Sequence, residues 1–284
     1  MKRFRGPRSR ALRLCVGIVL LTAATSGAAN LEPGVVATIE FPDDDLPPSL
    51  YEMMTGVAAP PTLSYRLPDD YDPEKRYPLL VYVPGNHGGP GGNIGNALAI
   101  AGPSGWVVAS LPLFKRSVDR DEIGGGLLVG FDDYPTISRA YRTLLEGLFE
   151  AVPNIDPARS AMVGFSNGAL TTAVLVSSHD EFVLSHFRSF CVVDHGMFHL
   201  TDLHKKESRD ARYLVLSGDD PRDMGRDLRI RGGQLLEDAW RLLGVDLSFH
   251  VMRDTGHEFE KPQMELVGRW LRGEALSEPT PAGE

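Results

Sequence analysis

Cysteine is scarce in this chain of 284 residues, because only Cys15 and Cys191 are present. The fold therefore cannot depend on a framework of several disulfides. No segment recurs at the spacing of about 20–50 residues that marks solenoids and propellers. No apolar run reaches the roughly 20 residues of a membrane-spanning helix. With 42% hydrophobic and 24% charged residues, the composition excludes wholesale disorder.

Basic residues are fewer than acidic residues. The chain has 29 Lys and Arg against 38 Asp and Glu, for a net charge of −9. Six of the basic residues precede Leu14, where no acidic residue occurs, so the rest of the chain is still more acidic. An acidic surface repels phosphate backbones. The charge balance therefore argues against a nucleic acid as the partner.

The N-terminus has the order of a secretory signal peptide. The basic residues run into the apolar segment Leu14–Ala24, and small residues follow at Ser26–Ala29. We expect cleavage after Ala29 and a secreted or periplasmic protein without stable membrane insertion. The alternative is an uncleaved N-terminal membrane anchor. Cys191 then remains as the one cysteine, and its apolar run, Phe190–Val193, predicts a buried packing residue rather than a nucleophile.

Beyond residue 30, short apolar runs alternate with amphipathic segments, which is typical of a mostly parallel sheet with helices on both faces. The predicted buried strands are Tyr77–Val83, Gly105–Leu111, Ser160–Val163, Phe190–Val193, Tyr213–Leu216 and Leu247–Met252. Gly34–Phe41 and Thr62–Leu67 alternate better and are predicted as antiparallel edge strands. Predicted helices are Pro135–Val152, Asn167–Ser177, Leu228–Leu243 and Met264–Leu271.

A candidate nucleophile lies between a predicted strand and a predicted helix. Residues Gly164–Gly168 read Gly-Phe-Ser-Asn-Gly, which fits the GxSxG pattern. Such a sharp turn exposes its serine, and glycines on both sides remove side chains that would collide. The motif alone is a weak signal, with roughly a one-in-ten chance of a random match in a chain of this length, but its position between an apolar strand and a helix of small residues strengthens it. Ser166 is therefore the predicted nucleophile, and an ordinary glycine-rich turn is the alternative.

A serine hydroxyl needs a neighbouring imidazole to accept its proton. His257 follows the last predicted strand by a short turn, so it should lie at the same edge of the sheet as Ser166. A carboxylate at another strand end should orient it. Asp220 is favoured for this role, with Asp219 and Asp194 as alternatives and Asp223 as a weaker one.

Two backbone N–H groups should bind the negative oxygen that forms in acyl transfer. One is expected from Asn167, next to the predicted nucleophile. The other is expected from the glycine-rich loop 84–93, with Asn86 favoured and His87 as the alternative. This loop lacks the Gly-Lys-Ser/Thr ending of a phosphate-binding loop, so no nucleotide cofactor is expected. The histidines and aspartates of 194–204 are interpreted as a loop lining the site, not as a metal centre.

Two stretches resemble a known family. Arg66–Gly85 and Asn154–Gly168 are similar to secreted α/β-hydrolases of the esterase D and polyhydroxyalkanoate-depolymerase-like type. The resemblance implies a serine esterase acting on small-molecule or polymeric carboxylic esters without metal or cofactor. The chain departs from the family pattern at Pro84-Gly85, where His-Gly is usual. It also departs at Gly218-Asp219-Asp220, which is one residue shorter than the usual Gly-x-x-Asp.

The sequence as a whole predicts three segments: a signal peptide at 1–29, an α/β-hydrolase catalytic domain at 30–272, and a flexible tail at 273–284. The stretch from Asp194 to Arg212 is too short for a large lid, so an open cleft is expected. A serine exopeptidase and a non-catalytic binding protein of the same fold are the alternative functions. The sequence alone does not predict an oligomeric state.

Overall fold

The computed structural model describes residues 32–42, 61–85, 92–113, 134–194, 198, 206–222 and 225–276. The predicted signal peptide lies outside these residues, as does most of the predicted tail. The described residues belong to one compact unit, Leu31–Glu284. Among them, no helix is both long and apolar enough to cross a bilayer.

Eight strands form a single sheet in the order β1-β2-β4-β3-β5-β6-β7-β8. They are β1 Val36–Glu40, β2 Thr62–Arg66, β3 Leu79–Val83, β4 Val107–Ser110, β5 Ala161–Phe165, β6 Ser189–Val193, β7 Arg212–Gly218 and β8 Asp246–Met252. The pairs β1–β2 and β2–β4 are antiparallel, and the other five pairs are parallel. The predicted mostly parallel sheet is confirmed, although β2 lies inside the sheet and only β1 is at that edge.

Seven α-helices accompany the sheet in the described part of the chain. They are α1 Ile94–Ala101, α2 Tyr134–Ala151, α3 Asn167–Ser177, α4 Glu181–His186, α5 Lys206–Arg209, α6 Arg226–Leu242 and α7 Lys261–Leu271. α1, α4 and α5 were not predicted. α7 begins three residues before its predicted start, because Glu260 and Gln263 form a reciprocal capping box there.

Helices cover both faces of the sheet. Alternate residues of β3 show this arrangement, since Leu79, Val81 and Val83 enter one hydrophobic cluster, and Leu80 and Tyr82 enter the other. The first cluster contains buried residues of α2, α3, α4 and α6, and the second contains those of α1 and α7. Burial on both faces explains why the central strands are continuously apolar. Two buried polar residues, Ser166 and Asp194, directly follow the carboxyl ends of β5 and β6.

Candidate active site

Ser166 occupies the turn between β5 and α3, with φ 55° and ψ −118°. This left-handed backbone is unusual for a residue with a side chain. The turn is held because the Ser166 N–H donates to the carbonyl of Val193 at 3.0 Å, and the Ser166 carbonyl accepts from Leu170 at 3.1 Å. Ser166 is thereby fixed at the carboxyl end of β5, directly before the first turn of α3.

Both glycines of the motif are required by close approach. A Cβ atom added to Gly168 would lie 2.0 Å from the carbonyl oxygen of Val83, and one added to Gly164 would lie 2.3 Å from that of Gly168. Both distances are far inside van der Waals contact. The motif therefore brings β5, α3 and the end of β3 together at Ser166, as the sequence pattern predicts for this type of turn.

His257 lies in the loop that follows β8, within hydrogen-bond distance of Ser166. Its Nε2 is 2.8 Å from the Ser166 Oγ. The imidazole stacks on the Phe165 ring, with 5.2 Å between ring centroids and 28° between planes. About half of the His257 side chain, 47%, remains exposed. One ring edge therefore meets the serine, while the imidazole stays accessible from outside.

The other imidazole nitrogen meets Asp194. The His257 Nδ1 is 2.5 Å from the Asp194 Oδ2, and the Asp194 side chain is only 1% exposed. Asp194 follows β6 directly and has a left-handed backbone, φ 51°. Its N–H donates to the carbonyl of Leu216 at 2.8 Å, and its Oδ1 accepts from the Gly218 N–H at 3.2 Å. The end of β7 thus fixes both the backbone and the carboxylate of Asp194.

Comparison with solved structures bears on the fold. The chain is similar to a thermostable esterase at 17% identity and TM-score 0.50, covering 84% of this chain and 59% of that one. It is also similar to the Bacillus cereus carboxylesterase, at 15% identity and TM-score 0.50, covering 74% and 93%. The chain has the α/β-hydrolase fold. The match spans less than two thirds of the length of the thermostable esterase.

A third similar structure is a serine-to-alanine mutant of the feruloyl esterase module from Clostridium thermocellum, complexed with sinapinate. It is 13% identical with TM-score 0.50, over 85% of this chain and 89% of the module. No protein-family model matches the chain. At these identities, the similarities bear on the α/β-hydrolase fold and not on the reaction.

The expectation for Asp220 requires correction. Its carboxylate oxygens accept from the Arg222 side chain at 2.6–3.0 Å and from the Arg222 N–H at 2.9 Å. These bonds to Arg222 lower the pKa of Asp220 to about 2. The carboxylate that meets the imidazole is that of Asp194, which the sequence offered as an alternative.

Asp219 and Asp220 instead build the loop that carries His257. The Asp219 Oδ1 accepts from the Asp254 N–H at 2.6 Å, where the Asp254 backbone is left-handed with φ 52°. The Asp220 N–H donates to the carbonyl of Thr255 at 3.1 Å. Both residues therefore hold segment 252–256 against the end of β7. Asp223 lies outside the described residues.

Asn167 is the first residue of α3, and it is buried. N–H groups at a helix N-terminus point out along the helix axis, where they can bind an anion. The loop after β3 also approaches this point, since a Cβ added to Gly85 would lie 3.1 Å from the Ser166 Cβ. Asn86 and His87, the predicted second donors, lie outside the described residues.

Two further candidate centres are Cys191 and the histidine-rich segment 194–204. The Cys191 thiol is fully buried, and burial raises its pKa, so the described structure leaves it as a packing group. Within the described ranges, no group of three His, Cys, Asp or Glu side chains could hold a metal ion. His195, His199, Asp202 and His204 lie outside those ranges. At Ser166, the hydroxyl contacts an imidazole and that imidazole contacts a buried carboxylate, an arrangement that can support nucleophilic chemistry.

Proposed function

We propose that this protein is a serine hydrolase that cleaves carboxylic esters through an acyl-enzyme intermediate. The observation that supports this is the chain of contacts from the Ser166 Oγ to His257 and from His257 to the buried Asp194, built on a strained turn. A strained serine in contact with an imidazole is costly to maintain without a chemical role.

In the proposed first step, the Ser166 Oγ attacks the carbonyl carbon of the ester and its proton passes to the His257 Nε2. Asp194 holds the Nδ1–H of the imidazole, so that Nε2 is the nitrogen that accepts the proton. The carbonyl oxygen becomes negative and is bound by the Asn167 N–H and by a second N–H from loop 84–93, for which Asn86 or His87 is proposed. The tetrahedral intermediate then collapses, and the alcohol leaves with the proton from His257.

In the second step, His257 removes a proton from water as the oxygen attacks the Ser166 acyl group. Collapse of the second tetrahedral intermediate breaks the bond to the Ser166 Oγ, and His257 returns the proton to that oxygen. The products are a carboxylic acid and the free enzyme, so all atoms balance without a metal or cofactor. The exposed half of the His257 ring gives water access to this step.

Covalent labelling tests the nucleophile. We expect a fluorophosphonate probe to modify wild-type protein at one site, and peptide mass spectrometry to locate the adduct on Ser166. The matched control is Ser185, an exposed serine distant in the chain, which should carry no adduct. Absence of labelling would favour a non-catalytic binding protein of this fold.

A substrate panel tests the bond that is cleaved. The resemblance of 66–85 and 154–168 to secreted esterases supports esters over amides, and the short 194–212 segment supports an open cleft. We therefore expect hydrolysis of short nitrophenyl esters and of feruloylated or acetylated polysaccharides, with little turnover of peptide anilides. Preferential turnover of peptides would favour the exopeptidase, and a strong preference for long-chain lipids would count against an open cleft.

We also propose that the protein is exported and loses residues 1–29. The support is the sequence order of basic, apolar and small residues before Asn30. N-terminal sequencing of protein secreted by a bacterial host should give a chain that begins Asn30-Leu31-Glu32. An intact Met1 in a membrane-bound fraction would instead support the anchored alternative.

A further inference from the structure

Helix α6 has a buried face and an unusual exposed face. Its residues Gly233, Leu236 and Trp240 are buried. Gly233 lies so close to β8 that an added Cβ would meet the Phe249 ring at 2.1 Å. The orientation of the helix is therefore fixed, and its opposite side must face outward.

Three leucines on that outward side are exposed and lie seven residues apart. Leu228 is 79% exposed, Leu235 71% and Leu242 89%. A spacing of seven residues is nearly two helical turns, so these side chains form one stripe about 21 Å long. We call this set the leucine stripe. Isolated exposed leucines are normal, but an aligned apolar stripe on one helix is typical of an interaction surface.

We propose that the leucine stripe is the surface through which two copies of this protein pair, with α6 antiparallel to α6 of the second copy. A two-fold axis passing at Leu235 brings that residue against its own copy. The same axis brings Leu228 against Leu242 of the second copy, and Leu242 against Leu228. An evenly spaced stripe is self-complementary under this operation, as a two-fold interface requires.

The charges beside the stripe favour the antiparallel orientation. Successive residues are about 100° apart on a helix, which places Arg231 and Asp238 on the same flank of the stripe. In an antiparallel pair, like flanks face each other, so Arg231 of each copy meets Asp238 of the other. In a parallel pair, this flank would instead face the uncharged Gly232 and Ala239.

Both charged groups are available for such a contact. Within the described part of the chain, Arg231 pairs with no carboxylate. Asp238 contacts Arg241 at 3.1 Å, but both side chains are exposed and such pairs contribute little to stability. On the other flank, Gly232 and Ala239 are small enough to let two helices approach closely.

The exposed charges of α6 do not suit a lipid surface. A helix that lies on a membrane usually carries Lys and Arg on its polar face. Here, Asp227 and Asp238 are exposed beside Arg231 and Arg241, and the chain carries a net charge of −9. Anionic lipids would repel such a protein. A second copy of the chain, with its own matched charges, is the occupant that these residues fit.

Sedimentation velocity tests the pairing. We expect wild-type protein to shift from monomer to dimer between about 1 and about 100 µM, as expected for a small interface. Leu235→Glu should raise the dissociation constant of the dimer by about 30-fold or more. Gln234→Glu is the matched control, because it adds the same charge at the neighbouring exposed position outside the stripe, and it should have little effect.

Charge exchange and crosslinking test the orientation. Arg231→Asp should weaken the dimer, and combining it with Asp238→Arg should restore it. In a Cys15→Ser background, Leu235→Cys should give a disulfide-linked dimer, as should a mixture of Leu228→Cys and Leu242→Cys proteins. A monomer over the whole concentration range, insensitivity to Leu235→Glu, or a Leu228→Cys self-crosslink would each overturn the proposal. Since every side chain substituted on α6 is exposed, an unchanged melting temperature separates lost pairing from lost folding.

Discussion

Ser166→Ala is expected to lower kcat for ester hydrolysis by about 10⁶-fold, because the proposed nucleophile disappears. His257 and Asp194 remain, but no hydroxyl is left to form the acyl-enzyme. Alanine keeps the Cβ of serine, so the left-handed backbone at this position gains no new strain. The measurement is kcat for a short nitrophenyl ester, with a melting curve to show that the variant is folded.

The control for this substitution is Ser185→Ala, which removes an exposed hydroxyl outside the candidate site and should leave kcat unchanged. The outcome that contradicts the proposed function is simple: hydrolysis by the folded Ser166→Ala protein at the wild-type rate. Such a result would mean that a group other than Ser166 cleaves the ester. The contact between Ser166 and His257 would then not be part of catalysis.

Most of the sheet could be predicted because strands buried on both faces appear in the sequence as continuous apolar runs. β6 is apolar over nearly its whole length, and its observed bounds, Ser189–Val193, differ from the predicted ones by one residue. The apolar spacing that would predict helix α1 is weaker. Its eight residues, Ile94–Ala101, follow a glycine-rich loop, and only Ala97 and Ile100 are buried, so the apolar period is too short to recognise.

Ser166 and His257 were accessible to sequence reasoning because each is marked by its neighbours in the chain. The third position was not, because the choice between Asp194 and Asp220 depends on strand order. β6 lies directly beside β5, and Val193 pairs with Phe165. Ser166 and Asp194 directly follow this pair of residues, so they lie side by side at the ends of the two strands. β7 lies one strand farther away. The order of the strands in the sheet cannot be read from the local sequence. The position of Asp194 directly after a buried strand was a signal that could have been used.

Asp194→Asn is expected to lower kcat by about 10⁴-fold, although the two side chains have nearly the same shape. In the proposed mechanism, the Asp194 Oδ2 that contacts His257 Nδ1 accepts a hydrogen bond from the Nδ1–H, so that Nε2 is the nitrogen that accepts the proton of Ser166. An asparagine that presents its amide N–H to Nδ1 would favour the other tautomer, with the proton on Nε2. The imidazole could then no longer accept the proton of Ser166.

Asp220→Asn is the matched variant, because it makes the same change in the acid that the sequence favoured. We expect kcat to stay near the wild-type value, since the Asp220 carboxylate bonds to the exposed Arg222 and the loop bond to Thr255 comes from the Asp220 backbone. Equal losses in the two variants would mean that the loop, rather than the buried carboxylate, orients His257. A large loss only in Asp220→Asn would overturn the assignment of Asp194.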